Sequence, residues 1–103
     1  MKDEKIVNLL SMAQRAGKVA SGEFAVEKAL AAKQVALLLV AADAAESTKA
    51  NCEAAAARQG IKVYYVLSRE ALGHCLGKEF RSSAALLDKG FSKALEQRIL
   101  DAN

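Results

Sequence analysis

Two apolar runs of strand length lie on either side of a helical pattern in the middle of this sequence. Residues 35–41 are apolar without interruption, and residues 61–67 are rich in valine and tyrosine. The segment between them, which starts near Ser47 and stops at Gly60, predicts a helix. A strand, a helix and a second strand in this order indicate a βαβ unit, and we expect its first strand to be buried on both faces.

An amphipathic helix is predicted before this unit. Its apolar positions recur with the spacing of a helix face: Ile6, Leu9, Leu10 and Ala13. Gly17 follows at the position where a left-handed C-cap is expected. A short extended segment, 18–20, precedes a second helix, for which Ser21 is the predicted N-cap and which reaches about Lys33.

The alternation of helix and strand continues to the end of the chain. Ser68 is the predicted cap of a short fourth helix, and a polar loop at 77–83 leads to a strand at 84–88 and a last helix at 91–100. This pattern predicts an α/β fold: a three-layer α/β/α sandwich with a small mixed central sheet of about four strands. With 103 residues and no linker-like tract, we expect a single domain over residues 1–103.

Charge and cysteine content narrow the classes of function. Fifteen Lys and Arg against twelve Asp and Glu give a formal net charge of +3, which permits binding to an anionic polymer. Two cysteines are too few for a disulfide framework, and the apolar runs are far shorter than the ~20 residues of a membrane-spanning helix. We therefore expect a cytoplasmic protein with no membrane contact and no cofactor.

Neither catalysis nor a metal site is predicted. His74 and Cys75 are adjacent on a helix, so their side chains point about 100° apart. Cys75 shares an apolar stripe with Leu72 and Leu76, so we expect it in the core and His74 at the surface. One histidine and two distant cysteines do not match the ligand spacing of structural zinc. Because no nucleophile and base can be placed together, we expect that the chain is not an enzyme.

The second helix carries a more informative pattern. Its apolar face consists of Ala25, Val26, Ala29 and Leu30. That arrangement leaves Phe24 and Lys28 together on the opposite, exposed side. An outward phenylalanine beside a lysine at a helix N-terminus can stack on a base and bring a phosphate to free backbone N–H groups. An isolated surface phenylalanine is the alternative.

The loop after the fourth helix is a second candidate site. Residues 73–83 combine two glycines, Gly73 and Gly77, with cationic, aromatic and hydroxyl side chains. These side chains belong to Lys78, Phe80, Arg81, Ser82 and Ser83. The mixture suits an RNA backbone with an unstacked base, and a merely solvated loop is the alternative.

Taken together, these segments resemble a known family. The segments that carry the resemblance are RAGKVASGE at 15–23, KAL at 28–30, ADA at 42–44, LGHCLGKE at 72–79 and LDKGF at 87–91. In this order they look like the kink-turn-binding ribosomal protein family, and in particular its bacterial YlxQ-type branch. The resemblance implies a three-layer α/β/α domain that binds RNA without catalysis, through the N-terminal end of the second helix and the loop before the last strand.

The resemblance also implies roles for single residues. Gly22 matches the glycine that opens the helix close to the RNA backbone, and Lys28 matches the lysine one and a half turns later. Leu72, Gly73 and Gly77 match the turn that presents the loop at 78–83.

One motif departs from the family. Where well-characterised kink-turn binders carry Asn-Glu, two and three residues after the glycine, this chain has Phe24 and Ala25. Glu23 offers one hydrogen-bond acceptor from the neighbouring position. The departure leaves an alternative open: a protein-interaction module on the same fold, with weakened RNA selectivity and Phe24 as its apolar anchor.

We therefore expect a non-enzymatic RNA-binding protein, associated with the ribosome or with another structured, kink-turn-like RNA. The cationic side chains would contact phosphates, and Phe24 and Phe80 would contact splayed bases. The predicted RNA-binding residues are Arg15, Lys18, Gly22, Glu23, Phe24, Lys28, Lys33, Gly73, Gly77, Lys78, Phe80, Arg81 and Ser82. The expected partners are structured RNA and ribosomal proteins, with no DNA, no metal and no cofactor.

Overall fold

In a computed structural model that describes residues 2–102, helices and strands alternate along the whole of that range. The elements are α1 (Lys2–Arg15), β1 (Val19–Ser21), α2 (Glu23–Ala31), β2 (Leu37–Val40), α3 (Glu46–Gln59), β3 (Val63–Tyr65), α4 (Arg69–Cys75), β4 (Ser83–Leu86) and α5 (Lys89–Asp101). The predicted α/β class is confirmed.

The four strands form one mixed sheet in the order β1-β4-β2-β3. β2 and β3 are parallel, as the βαβ unit predicts, and β4 runs antiparallel to both of its neighbours. As a result β1, β2 and β3 all end at one edge of the sheet, where β4 begins. We call this the carboxyl edge, marked by Ser21, Val40, Tyr65 and Ser83. The opposite edge, marked by Val19, Leu37, Val63 and Leu86, is the amino edge.

Helices cover both faces of the sheet and bury it completely at its centre. α2 and α3 pack on one face, and α1, α4 and α5 form the layer on the other. Every residue of β2 and of β4 is buried. Side chains also tie neighbouring helices together: the Gln59 amide donates to the Leu30 carbonyl at 2.8 Å, and the Ser11 hydroxyl donates to the Cys75 carbonyl at 3.2 Å. The predicted three layers and doubly buried central strand are confirmed.

The predicted N-cap of α2 is wrong by one residue. Ser21 is the last residue of β1, and Gly22 occupies the N-cap position without a side-chain hydrogen bond. Two interactions hold Ser21 in the strand: its ladder position opposite Ala84, and its hydroxyl, which accepts a hydrogen bond from Arg81 Nε at 3.1 Å. A capping serine is thus replaced by a glycine whose backbone alone makes the turn.

The other local predictions agree closely with the structure. α1 ends just before Gly17, and Gly17 itself adopts the left-handed conformation. The Ser68 hydroxyl caps α4 by accepting a hydrogen bond from the Ala71 N–H at 3.0 Å. α3 begins at Glu46, one residue before Ser47. His74 is exposed, and Cys75 is half-buried against the core. The strands are shorter than the apolar runs because residues beyond the ladders still pack in the core.

The buried centre of β2 is expected to dominate stability. Leu38 is 0% exposed, and Leu38→Ala removes its side chain from a fully packed site, so we expect a loss of roughly 2–5 kcal/mol in the free energy of unfolding. Urea unfolding followed by circular dichroism measures it. Leu100→Ala, at an exposed leucine of α5, is the control and should change stability by less than about 0.5 kcal/mol. Equal losses in the two variants would contradict this description of the core.

Candidate nucleic-acid interface

The N-terminus of α2 opens directly onto the carboxyl edge of the sheet. Gly22 adopts φ 89° and ψ 151°, a conformation that is essentially restricted to glycine. Its N–H donates to the Ser83 carbonyl at 3.4 Å, which places the first turn of α2 beside the start of β4. The next backbone N–H groups of α2 lie in the first turn of a helix, where they have no partner within the helix itself. This is the geometry that favours an anion.

A glycine turn sends the chain from α4 back toward the same edge. Gly77 has φ 73°, and its N–H donates to the His74 carbonyl at 3.2 Å. The Lys78 N–H donates to the Gly73 carbonyl at 2.8 Å. These two bonds and the left-handed residue form a Schellman motif, which ends α4 and starts the loop over residues 76–82.

Gly73 allows that loop to lie directly on α4. This glycine is buried, and a Cβ atom at its position would be 2.7 Å from Phe80 Cα and 2.8 Å from Phe80 N. Such contacts are too short for real atoms, so only glycine permits this approach of backbone to backbone. Gly73 therefore lets the loop pack directly on α4 and is itself buried beneath the loop backbone at Phe80.

Arg81 links the loop to β1 and to α2. Its Nε donates to Ser21 Oγ at 3.1 Å, its Nη1 donates to the Phe80 carbonyl at 3.1 Å, and its own N–H donates to the Arg69 carbonyl at 3.0 Å. The guanidinium lies next to Gly22, where a Cβ atom would be 3.5 Å from Arg81 Nε. A fixed positive charge therefore adjoins the open end of α2.

Two aromatic side chains project from this region into solvent. Phe24, in the first turn of α2, is 79% exposed, as the helix pattern predicted, and Phe80, in the loop, is 53% exposed. Phe80 lines a depression of about 190 Å³, together with Gly22, Glu23, Thr48, Arg81 and Ser82. Exposed rings beside a cationic, hydroxyl-bearing depression form a surface on which a splayed base can stack.

The carboxyl edge is braced by a carboxylate that plays no part in the depression. Asp43, just after β2, accepts the Arg69 N–H at 2.8 Å and pairs with Arg69 Nε at 3.7 Å. The hydrogen bond from the Arg69 N–H is the main cause that lowers the pKa of Asp43 below its ordinary value. Asp43 therefore fastens the start of α4 to the end of β2.

The structure brings together only part of the predicted residue set. Five of the predicted residues line the depression: Gly22, Glu23, Phe80, Arg81 and Ser82. Phe24 directly follows one of them in α2, and Lys78 lies in the loop. Gly73 and Gly77 shape the loop from its α4 end.

Four predicted cations lie away from the depression. Lys28 is exposed in the last turn of α2, about 9 Å along the helix from Gly22. Arg15 and Lys18 lie at the amino edge, where the Lys18 carbonyl accepts the Leu87 N–H at 2.8 Å. Lys33 follows the C-terminal end of α2 at that same edge. Sequence spacing alone could not show that Arg15, Lys18 and Lys33 lie at the opposite edge of the sheet from Gly22.

Thr48 is a member of the depression that the sequence analysis missed. It lies in the first turn of α3, whose N-terminal end reaches the carboxyl edge because α3 follows β2. The predicted βαβ unit already implied that the N-terminal end of α3 lies at the carboxyl edge. Since the N-terminus of α2 lies at the same edge, Thr48 could have been predicted as a neighbour of Gly22.

Other kinds of site find no support in the part of the chain that is described. Within residues 2–102, no three His, Cys, Asp or Glu side chains are grouped so as to hold a metal ion. No helix in that range is long and apolar enough to cross a membrane.

Residues 4–96 match the sequence model of the ribosomal protein L7Ae/L30e/S12e/Gadd45 family. The chain belongs to this family. The match covers nine-tenths of the sequence and includes both the α2 N-terminus and the loop after α4. The resemblance drawn from the sequence motifs is therefore confirmed.

Curated relatives specify the branch of the family. The chain is 36% identical over 87 residues to the RNA-binding protein YlxQ of Bacillus subtilis (strain 168), covering 84% of this chain and 87% of that protein. It is 27% identical over 96 residues to the RNA-binding protein YlxQ of Enterococcus faecium, covering 93% and 92%. The YlxQ-type branch is confirmed. The relatives are RNA-binding proteins of a family without enzymatic activity, so the prediction that this chain is not an enzyme is confirmed too.

Solved structures agree on the fold. A protein of unknown function from Bacillus halodurans C superposes with a TM-score of 0.88 at 35% identity, over 92% of this chain and 96% of that one. The 15.5kD RNA binding protein of Giardia lamblia superposes with a TM-score of 0.78 at 15% identity, over 98% and 87%. The three-layer fold of this family member is thus shared with proteins of very different sequence.

The close approach of the loop backbone to Gly73 predicts that Gly73→Ala destabilises the protein, whereas the same substitution in an ordinary helix stabilises it. Inside an ordinary helix, Gly→Ala stabilises by up to about 1 kcal/mol. Gly73→Ala should instead lower the free energy of unfolding by roughly 1–3 kcal/mol, because the new Cβ meets the Phe80 backbone. Urea unfolding measures this, with His74→Ala at the exposed neighbouring position as the control. A stabilised Gly73→Ala variant would show that the loop does not rest on α4.

Proposed function

We propose that this chain binds structured RNA of the kink-turn type through the carboxyl edge, as a non-enzymatic component of ribosomal or other ribonucleoprotein particles. The observation that carries the proposal is the exposure of Phe24, 79%, beside the glycine-opened N-terminus of α2. The names of the two YlxQ relatives, both RNA-binding proteins, support it. A cytoplasmic location and contact with ribosomal proteins belong to the same proposal.

Phosphate oxygens are bound at the open end of α2. Gly22 lacks a Cβ atom, so an RNA backbone can approach the first N–H groups of the helix closely. Arg81 adds a charge that is already oriented by Ser21, and Lys78 adds an exposed one from the loop. Contacts of this type set the position of the RNA without reading its sequence.

Base contacts supply the preference for kinked RNA. Phe24 and Phe80 present ring faces on which bases that have left a helix can stack, and each such contact is worth about 1–3 kcal/mol. Glu23, which lines the depression, accepts hydrogen bonds from the N–H groups of a base edge. A straight duplex keeps its bases stacked, so it offers none of these contacts.

Ala25 leaves this chain without the second polar side chain of well-characterised kink-turn binders. Recognition therefore rests on shape and stacking more than on paired hydrogen bonds to bases. A protein-interaction module is not favoured, because the two relatives that match 84% and 93% of this chain are RNA-binding proteins.

Phe24→Ala tests the role of stacking. We expect the affinity for a kink-turn RNA to fall roughly five- to hundredfold, and the affinity for a straight duplex of equal length to stay unchanged. Fluorescence titration of labelled RNAs measures both. Met12→Ala removes an exposed hydrophobic side chain from α1 and serves as the control; Met12 is 50% exposed and Phe24 79%. If Phe24→Ala left the ratio of the two affinities unchanged, Phe24 would not contact splayed bases.

Lys28→Ala tests the phosphate contacts along α2. It should weaken binding to kinked and straight RNA alike and reduce the slope of log affinity against log salt concentration by about one. The same titrations at several salt concentrations give this slope. Lys5→Ala, which removes an exposed lysine from α1, should leave the slope unaltered. An unchanged slope in Lys28→Ala would exclude this face of α2 from the RNA interface.

A further inference from the structure

The charges at the helix ends single out α5. In α1, α2, α3 and α4, the first turn holds an acidic residue and the last turn a basic one, which complements the helix dipole. The first turn of α5 holds no acidic residue. It begins instead with Lys89, and Lys93 follows one turn later. The acidic group at this end of α5 is its N-cap, Asp88. Because the dipole disfavours a cation in the first turn, helix stability does not account for Lys89.

Both lysines line a cavity at the amino edge. The cavity measures about 260 Å³, lies where α3 ends and α5 begins, and is also lined by Lys62, Ser92 and Glu96. It lies at the opposite edge of the sheet from Gly22 and the loop over 76–82.

The acidic groups near this cavity are already engaged. Glu96 accepts a hydrogen bond from the Tyr64 hydroxyl and pairs with Lys62 Nζ at 2.9 Å. These two partners lower the pKa of Glu96, so its charge persists and remains neutralised. The Asp88 carboxylate caps α5 by accepting the Phe91 N–H at 2.8 Å. Lys89 and Lys93 are exposed and pair with no acidic residue in the described range, which leaves an excess of positive charge.

A buried hydroxyl without a partner lies in the wall of the same cavity. Ser92 is 7% exposed, and its Oγ atom has no hydrogen-bond partner among the described residues. An unsatisfied buried hydroxyl costs about 1–3 kcal/mol, and such groups in folded proteins call for an explanation. The Oγ atom has almost no accessible surface, so an anion oxygen that becomes its partner must shift the wall of the cavity slightly.

We propose that the amino edge is a second RNA contact, at which Lys89, Lys93 and Ser92 bind backbone phosphate groups without reading sequence. Lys18 and Lys33 extend this surface: the Leu87 N–H bonded to the Lys18 carbonyl is two residues before Lys89, and Lys33 precedes β2. The inference rests on the proposed RNA binding. The longest dimension of the molecule is 33 Å, so one arm of a structured RNA held at the carboxyl edge can reach the amino edge.

The test compares two double variants that lose the same charge. Lys89→Gln/Lys93→Gln removes the two cavity lysines, and Lys5→Gln/Arg98→Gln removes two exposed cations elsewhere. Each is titrated with a kink-turn RNA with extended arms and with a straight duplex, at about 50 and about 200 mM salt. Raising the salt concentration from about 50 to about 200 mM lowers the affinity of the unmodified chain for RNA by some factor. Because the cavity variant lacks two phosphate contacts, we expect that factor to be about tenfold smaller in this variant, for both RNAs.

Ser92→Ala gives a second readout. Removal of an unpartnered hydroxyl should leave the free energy of unfolding unchanged or higher, while the affinity for both RNAs falls several-fold. If Ser92 had only a structural role, its replacement would not lower the affinity for RNA while leaving the free energy of unfolding unchanged or higher.

The outcomes separate this inference from the proposed function. If the cavity variant and its charge-matched control change the salt dependence equally, only net charge is acting and the amino-edge site is overturned. If Ser92→Ala binds as the unmodified chain does, the hydroxyl is not a ligand. If the cavity variant loses salt dependence while the unmodified chain binds kinked and straight RNA alike, the amino-edge site stands and the kink-turn proposal fails.

Discussion

The pairing of β4 with strands on both of its sides is the interaction on which the rest of the structure depends. β4 is antiparallel to β1 and to β2, and all four of its residues are buried. Because β4 starts at the edge where β1 and β2 end, the turn into α2 and the loop after α4 meet there. The adjacent small side chains of Ala84 and Ala85 let helices cover both faces closely. Without this strand order, Gly22 and Arg81 would not be neighbours.

The fold could be predicted well from the sequence because its signals are local. Apolar runs of strand length, helical spacing and glycine C-caps each reported the state of a few residues, and their order implied three layers. The N-cap of α2, which is Gly22 and not Ser21, could not be predicted from local sequence. A serine before a helical pattern is a good cap, but Arg81, sixty residues away, bonds its hydroxyl and the ladder with β4 keeps it in a strand. Such a partner is invisible to sequence spacing.

The candidate site was predicted in part for the same reason. The exposure of Phe24 followed from helix periodicity and needed no knowledge of tertiary structure. The division of the cations between two edges depends instead on strand order, so Arg15, Lys18 and Lys33 were grouped with residues that lie across the sheet from them. The roles of Gly73 and Ser92 come from close packing. A Cβ atom at Gly73 would lie 2.7 Å from Phe80 Cα, and Ser92 Oγ has no hydrogen-bond partner among the described residues. Neither role can be predicted from the composition or the periodicity of the sequence.

We propose that kinked RNA binds where α2 opens beside the loop over 76–82. The most direct test of this proposal is a nuclear magnetic resonance titration that follows backbone amides during addition of a short-armed kink-turn RNA, and separately of a straight duplex of equal length. We expect large shifts at residues 22–24 and 77–82 with the kinked RNA, and much smaller ones there with the duplex. Identical shift patterns for the two RNAs, or shifts that spare both segments, would contradict it.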